Sequence, residues 1–410
     1  MSDISNALSG YFFSIANAIR EKTGRSDPIP LNNMANEIGS ISGGNANYDS
    51  FYVISGNIKA LPQERINIDM NSPLIIGDNI TYCSRLMSND VESIPYVGNF
   101  NQPVIFGNNV RYCDSMFRHQ GLFNQPINLP GKVENCVGMF YNAINFNSPV
   151  VFQNDTDDRF AVDLGSMFNN AVKFNQNITL PNNTYSTTHM FSHTTSFNKP
   201  ISLPNTLQFC NSMFYNAKAF NQPITIPDNT ISCDSMFYNA FNFNSPIVIG
   251  NNVNSCVSFL YGANHFNSTI IFGNNVRYCM NMFNGCTAFN KPVTINGAVN
   301  CRQLLYRATW FNSPVYLHGN QLNDIAFMLE LCPEFHSDVY ISSINTQLNI
   351  YNAFIHNSIR LHFNSAMNSV FNKSSGYRRD SSGITWTDMS DGNGFYNTAY
   401  NIYCYNNYVV

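Results

Sequence analysis

Residues 220–242 read FNQPITIPDNTISCDSMFYNAFN, and this stretch decides the fold. Ile224 and Ile226 flank Thr225, an alternation that is typical of a short strand with one buried face. Pro227 opens a Pro-Asp-Asn run that favours a tight turn. The apolar residues that follow are spaced by three, one and three positions, which predicts a short helical segment with one apolar side. They are Cys233, Met236, Phe237 and Ala240.

The same phrase, Phe-Asn, a variable residue and then usually Pro with Ile or Val after it, returns about every 23 residues along the chain. It begins at Phe100, Phe123, Phe146, Phe174, Phe197, Phe220, Phe243, Phe266, Phe289 and Phe311. Recurrence at this length indicates one supersecondary unit that is copied and stacked. We therefore predict a repeat solenoid over residues 70–365, with roughly 13 coils, each holding one short parallel strand and one short helical segment.

Three aligned columns of apolar residues are expected to face inward. The first contains Cys83, Cys113, Cys136, Cys210, Cys233, Cys256, Cys279 and Cys301. The second contains Met116, Met139, Met167, Met190, Met213, Met236, Phe259 and Met282, and each member is followed by Phe or Leu. Because free Cys packs as a small hydrophobe and no Cys-x-x-Cys pair occurs, we interpret the first column as reduced core thiols rather than a metal or disulfide framework.

The Asn that follows each repeat Phe forms a fourth column. An Asn at a fixed corner of every coil can satisfy backbone groups that the turn leaves unpaired, so we predict a side-chain ladder. Asn267 also begins an Asn-Ser-Thr glycosylation sequon, which carries little weight without a secretory signal.

The repeat resembles two known classes. The I-x-I-P phrase with a Met-Phe or Ala-Phe pair is similar to the 23-residue leucine-rich repeats of the BspA-like, or Treponema, type. The Phe-Asn-Gln-Pro and Met-Phe phrases are equally similar to repeats of mycoplasma surface lipoproteins. The resemblance covers about residues 70–365 and implies a leucine-rich-repeat-like solenoid that serves as an adhesion or display scaffold.

Residues 1–45 differ from the repeats. Apolar residues at helical spacing, with Gly24 as a stop, predict a small helical region. The segment IANAIREKTGRSDPIPLNNMANEI at 15–38 resembles a segment at the ends of bacteriophage tail and host-adsorption proteins. That resemblance implies a virion-attachment segment, and the attachment residues expected from it are Ile15, Ile19, Arg20, Met34 and Ile38. The alternative is a helical hairpin that caps the solenoid. Residues 46–69 are predicted to be a linker or amino-terminal cap.

Composition excludes several classes of function. The net charge is −4, charged residues make up 11% of the chain, and no basic run occurs, so nucleic-acid binding is not expected. No stretch has the length of a membrane span or the pattern of a secretory signal. We therefore predict no membrane insertion. The resemblance to phage tail proteins implies synthesis in the host cytoplasm and a final location on a virion, in an external appendage such as the tail.

Catalytic and metal signatures are weak. His189 and His193 lie four apart, as on one helix face, but no Glu stands between them. Asp155, Asp157 and Asp158 lie on a five-residue insertion that could bind calcium, although a solvated loop is the simpler interpretation. No nucleophile elbow, phosphate loop or zinc motif occurs. We predict a non-enzymatic protein without a cofactor.

The residue between the two buried aliphatics of each strand is expected to point outward. Most members of this column are small or β-branched, and the column changes to aromatic and polar side chains at Tyr316 and Tyr340. Past residue 366 the repeat is lost, and residues 366–410 are rich in Tyr and Asn. We interpret that segment as a carboxyl-terminal cap, a binding tip, or both. The receptor-binding residues expected here are Tyr316, Tyr340, Trp386, Tyr403 and Tyr405.

These observations together predict a receptor-binding, host-adhesion protein of a phage tail fibre or baseplate. Its expected partners are other virion proteins, a host cell-surface glycan or protein, and copies of itself in a homo-oligomer. Two alternatives stay open: a bacterial cell-surface leucine-rich-repeat adhesin, and a purely architectural virion component.

Overall fold

The computed structural model describes residues 71–88, 99–153, 160–319, 321–342, 348–349 and 351–353, the side chain of His362, and the backbone of the strands that lie outside these ranges. The chain divides into two compact units, Met1–Pro181 and Asn182–Val410. Each unit contains coils of the repeat, and each is described by itself.

The first unit is built from short strands, one in most coils. The strands are β1 (Ala46–Tyr48), β2 (Phe51–Ile54), β3 (Leu74–Ile76), β4 (Val104–Ile105), β5 (Ile127–Leu129), β6 (Val150–Phe152) and β7 (Val162–Asp163). β1 and β2 pair antiparallel, and β2, β3 and β4 then pair parallel in that order. β5 and β6 form a second parallel pair. The segment 46–69, predicted to be a linker or cap, thus contributes two strands to the sheet of this unit.

The second unit continues the pattern and ends in a different sheet. Its strands are β8 (Thr184–Ser186), β9 (Ile224–Thr225), β10 (Ile247–Val248), β11 (Ile270–Ile271), β12 (Val293–Ile295), β13 (Val315–Leu317), β14 (Asp338–Ile341), β15 (Arg360–Phe363), β16 (Asn372–Ser374), β17 (Tyr377–Arg379), β18 (Thr385–Asp388), β19 (Gly394–Asn397) and β20 (Ile402–Tyr405). β9, β10 and β11 pair parallel, as do β12 to β15 in order. β20 adds parallel to β15, and β19, β18, β17 and β16 follow as an antiparallel meander.

The strand register confirms the 23-residue repeat. Ile224 pairs with Ile247 and Ile247 with Ile270, so equivalent positions of successive coils lie side by side. Ile224 and Ile247 are buried, whereas the residues after them, Thr225 and Val248, are exposed. One face of each strand therefore points into the coil and the other points to solvent, as the alternation predicts.

The predicted helical segment in each turn is wrong for the described residues, in which every regular element is a strand. The apolar run is instead a chain of tight turns. The amides of Ser235 and Phe237 donate to carbonyls of the next coil at 2.8 Å, while the amide of Met236 donates back to Cys233 at 3.2 Å. Ser235 and Asn239 have φ of 55° and 53°, in the left-handed region that an α-helix cannot contain. Alternate amides therefore donate to the next coil. The amide between them donates to the carbonyl three residues back and closes a tight turn, so the bonds of an α-helix, to the carbonyl four residues back, do not form.

The inward columns are confirmed. Every member of the Cys and Met columns, with its following Phe or Leu, is buried wherever the structure describes it, and so is each repeat Phe from Phe100 to Phe335. Within one coil, Phe237 stacks on Phe243 at 4.1 Å, and Phe243 stacks on Phe220 of the preceding coil at 5.9 Å. Parallel rings at these spacings form a continuous aromatic core in which each coil covers its neighbour.

Thiols line the core beside these rings. The ten cysteines in the described part of the chain are free and buried. Sγ atoms of adjacent coils approach to 3.4 Å between Cys113 and Cys136 and to 3.4 Å between Cys233 and Cys256. Burial raises the pKa of the Cys233 thiol well above its usual value, so this thiol stays protonated and unreactive in the folded chain.

The predicted Asn ladder is also confirmed. The backbone amide of Asn244 donates to Oδ1 of Asn221 at 2.8 Å, and the amide of Asn267 donates to Oδ1 of Asn244 at 2.8 Å. The same bond joins Asn124 to Asn101 and Asn147 to Asn124 in the first unit. Each side chain thereby satisfies a corner amide that the strand ladder does not reach.

Candidate functional site

The outward strand column is the surface that the internal packing leaves free. Its members at 128, 151, 179, 202, 225, 248, 271 and 294 are exposed, and most of them are Thr, Ser, Val or Ile. Ile75 departs from the prediction, because it is only 2% exposed. Small and β-branched side chains at these positions give the strands a nearly featureless outer face.

The column changes to a stack of rings in the last coils of the second unit. Tyr316 lies beside Tyr340 in the parallel register of β13 and β14, and Tyr340 lies beside His362 in that of β14 and β15. The ring centroids of Tyr316 and Tyr340 are 4.7 Å apart with an interplanar angle of 7°. Those of Tyr340 and His362 are 4.5 Å apart at 13°. The three rings thus stack side by side on three adjacent strands. We call Tyr316, Tyr340 and His362 the ring stack.

Polar groups flank the ring stack on the same face. The Tyr340 hydroxyl donates to Oδ2 of Asp338 at 3.3 Å, and Nε2 of His362 lies 3.5 Å from Oδ1 of the same carboxylate. On the other flank, Nδ1 of His318 lies 3.1 Å from the Ser342 hydroxyl. Burial lowers the pKa of His318, so this imidazole is neutral at pH 7.

This arrangement places half-buried rings, hydroxyls, one carboxylate and one neutral imidazole along one face of the strands. Such groups recognise neutral polar ligands by stacking and hydrogen bonding. His318 and His362 were expected at this edge from the sequence, and Asp338 completes the site beyond the expected residues. The i, i+2 spacing of Asp338 and Tyr340 in a strand was the available signal, because it places both side chains on one face.

The structure brings only part of the expected receptor-binding set together. In the backbone register of β15 and β20, Tyr405 pairs with His362 and Tyr403 pairs with Arg360. Tyr405 therefore continues the row of the ring stack by one strand, with Tyr403 two residues before it. Trp386 lies in β18, two strands beyond β20, where it pairs with Arg378.

Several expected sites fall outside the described residues, and one pair of histidines lies on tight turns rather than on a helix. The attachment residues Ile15, Ile19, Arg20, Met34 and Ile38, and the Asp155–Asp158 insertion, lie outside the part of the chain that the structure describes. His189 and His193 are not on a helix, because both have φ near 57° and belong to the tight turns.

The described residues contain neither a group of three His, Cys, Asp or Glu side chains that could hold a metal ion nor a helix long and apolar enough to cross a membrane.

A second aromatic row lies on a different side of the coils, at the tight turns. Tyr215 stacks on Tyr238 at 4.7 Å, and Tyr238 stacks on Tyr261 at 4.5 Å. Desolvation, with the neighbouring phenols, raises the pKa of Tyr238. The sequence signal for this row was the Tyr after the Met-Phe pair, or after Phe259-Leu260 in its place, at the same repeat position in three successive coils.

The sequence and the fold were compared with known proteins. A family model described as "Mycoplasma protein of unknown function, DUF285" matches residues 96–179, 154–248 and 231–343. No curated protein matches the sequence.

Among solved structures, the chain is similar to the pneumococcal vaccine antigen PcpA, at 11% identity and a TM-score of 0.40, over 78% of this chain and 90% of that one. It is also similar to a leucine-rich cell surface protein from Faecalibacterium prausnitzii A2-165, at 10% identity and a TM-score of 0.34, over 74% and 95%.

Proposed function

We propose that this chain, which belongs to the Mycoplasma DUF285 family, is a non-enzymatic binding protein. In this proposal it acts as a cell-surface adhesin. Its binding surface is the outward side of its coils, and its first contact with a partner is made through the ring stack. The partner class is a neutral glycan or a protein of a host cell surface.

The observation that carries the proposal is the ring stack of Tyr316, Tyr340 and His362 on an otherwise plain strand face. Burial of the inward columns explains why Cys, Met and Phe recur in each coil, but it does not require rings at outward positions. Equivalent positions in earlier coils hold Thr225 and Val248, which are sufficient for the strand. The rings therefore serve contact with something outside the coil.

The polar neighbours of the ring stack narrow the chemistry of the partner. Asp338 supplies a carboxylate, which repels anionic partners and accepts hydrogen bonds from hydroxyls. His318 is neutral, because burial lowers its pKa. A neutral polyhydroxylated ligand or a hydroxyl-rich protein loop fits these groups better than a phosphate or a nucleic acid.

The family favours a cell surface over a virion as the place of action. The match to a Mycoplasma family agrees with the likeness of the Phe-Asn-Gln-Pro and Met-Phe phrases to mycoplasma surface lipoproteins. The virion hypothesis rests on residues 15–38, and a phage receptor-binding protein or an architectural virion component is the second candidate. Immunogold labelling of intact cells and of purified phage particles separates the two locations, because each hypothesis predicts label on only one of them.

The binding claim is tested with the full chain on an array of neutral and acidic glycans and of extracellular-matrix proteins. A Tyr316→Thr/Tyr340→Thr double variant gives these strands the residue that the column holds at Thr294. We expect it to fold and to lose at least about tenfold in affinity for the bound partner. Thr294→Ala, in the adjacent strand of the same column, is the control and should bind as the parent does. Equal binding by the double variant, or no binding to any probe, would contradict the proposal.

A further inference from the structure

A third aromatic group, distinct from the ring stack and from the row of Tyr215, Tyr238 and Tyr261, lies at the corner of the coils where each repeat ends. Trp310 is 66% exposed and Phe241 is 43% exposed, although both are large apolar side chains in a chain that buries every repeat Phe. Phe241 contacts His265 of the next coil in a T-shaped arrangement, with centroids 4.4 Å apart. Phe241 is the penultimate residue of its coil, and His265 and Trp310 are the last residues of theirs.

Ala288 holds the same last position in the coil between those of His265 and Trp310, so a small side chain interrupts the row of large ones there. We call this position, between His265 and Trp310, the notch. The amide of Ala288 donates to the Asn264 carbonyl at 3.1 Å, and the amide of Trp310 donates to the Thr287 carbonyl at 3.2 Å. These bonds fix the three corners side by side. His265 and Trp310 are therefore two coil spacings apart, about 10 Å at the usual interstrand distance. A ring inserted between two groups, with van der Waals contact on both of its faces, needs about 7–8 Å between those groups, which is less than this spacing.

The corner residues that form the notch hold no acidic, Lys or Arg side chain and bear hydrogen-bonding groups. The corner residues 241–242, 264–265, 287–288 and 309–310 include no Asp, Glu, Lys or Arg. The Thr287 hydroxyl donates to the Asn264 carbonyl at 3.2 Å and keeps lone pairs that can accept. The Asn264 amide faces the carbonyls of Gly262 and Gly285, and with its nitrogen assigned to that side it donates to them at 2.7 Å and 3.1 Å.

We propose that this corner notch binds one ring of a neutral sugar, with a pyranose face against Trp310 and the ring edge over Ala288. An exposed indole stacks on a flat apolar surface, and the surrounding hydroxyl and amide groups bond to the substituents of the ring. Because these corner residues include no Lys or Arg to pair with a phosphate or a carboxylate, neutral sugars are favoured over anionic ones. This site is independent of the ring stack and goes beyond the proposed function.

The chain supplies its own matched variants. Lys173 occupies the position of Ala288 in another coil, so Ala288→Lys places in the notch a residue that the repeat accepts. Ala219 holds the same position in a coil distant from Trp310, and Ala219→Lys is the control. The chain has only two tryptophans, so a Trp386→Phe background leaves Trp310 as the single fluorophore.

The probes are the methyl glycosides of glucose, galactose, mannose and N-acetylglucosamine. We measure Trp310 fluorescence in the Trp386→Phe background and saturation-transfer NMR of the sugar protons with the unmodified chain. We expect at least one glycoside to bind with a Kd of about 1–10 mM, as a single ring with few contacts should. Ala288→Lys should raise this Kd at least about tenfold. Ala219→Lys should leave it unchanged.

Three results would overturn the inference. The first is the absence of a signal from all four glycosides at about 50 mM, well above the expected Kd. The second is an equal loss of binding in Ala219→Lys and Ala288→Lys. The third is binding of N-acetylphenylalaninamide in place of every sugar, which would assign the notch to an apolar peptide side chain. Since the notch and the ring stack share no residue, failure here leaves the proposed adhesin function standing, and the reverse also holds.

Discussion

Replacing Phe237 by Ala tests the stacked aromatic core most severely. The Phe237 side chain is fully buried, with ring centroids 4.1 Å from Phe243, 5.5 Å from Phe214 and 5.2 Å from Phe259. Loss of a buried Phe removes its transfer free energy and leaves a cavity, for a total of about 3–5 kcal/mol. The upper half of that range is expected, because the backbone bonds between coils hold both walls of the cavity in place.

The assay is amide hydrogen exchange read by mass spectrometry, supported by urea unfolding. A solenoid is stabilised by nearest-neighbour interfaces, so protection should fall most for the coils within residues 214–266 and less farther away. Phe237→Leu is the matched control, since Leu260 occupies this position in the next coil, and its effect should stay below about 1.5 kcal/mol. A loss of less than 1 kcal/mol for Phe237→Ala, or an exchange pattern that does not centre on these coils, would refute the reasoning.

Three further changes test the turns and corners. Asn221→Ala removes the acceptor of the Asn244 amide and should lower the free energy of unfolding by about 0.5–1.5 kcal/mol in urea titrations; no loss would mean that water replaces the bond. Gly273→Ala places a Cβ 2.1 Å from the Gly250 carbonyl oxygen and should lower stability by about 1–3 kcal/mol or more, whereas a neutral effect would contradict the close coil contact. Burial lowers the pKa of His193, so the unfolded chain takes up the proton first as the pH falls below about 6.5 and stability decreases there. His193→Asn should reduce this decrease in melting experiments between pH 7 and pH 5, and an unchanged pH dependence would contradict it.

The repeat period was sufficient to predict the coil and its inward columns. Equivalent positions 23 residues apart must stack if one unit is copied, so the burial of Cys233, Met236 and Phe237 followed from alignment alone. The Asn ladder followed from the same argument, because a fixed corner leaves the same backbone group unpaired in every coil.

The helical segment was wrong because apolar spacing does not distinguish a helix from a run of tight turns. Both place Cys233, Met236 and Phe237 on one side. The two structures differ in the acceptor of each alternate amide. In the tight turns that acceptor is a carbonyl of the next coil, more than 20 residues away along the sequence from the amide. Single-coil reasoning has no access to that bond, although Asn239 at a left-handed position was a usable sign.

The candidate site was predicted only in part for a related reason. Tyr316 and Tyr340 follow from the outward column, but their contact with His362 and Asp338 depends on the register of β14 and β15. Those coils depart from the 23-residue spacing, so counting along the repeat does not align them. Trp386 joined the expected set because it lies in the aromatic-rich segment past the last repeat, far from the proposed attachment segment. The sheet order places it two strands beyond Tyr405.

The central claim is that each repeat is a coil with its Cys, Met and Phe columns inside, which leaves only outward residues to bind. Thiol alkylation of the folded chain, read cysteine by cysteine by mass spectrometry, tests this most directly. The account predicts that Cys113, Cys136, Cys233 and Cys256 stay unmodified and unpaired until denaturant is added, and then react fully. Rapid alkylation of any of the four in the native protein, or their recovery as disulfides under reducing conditions, would contradict it.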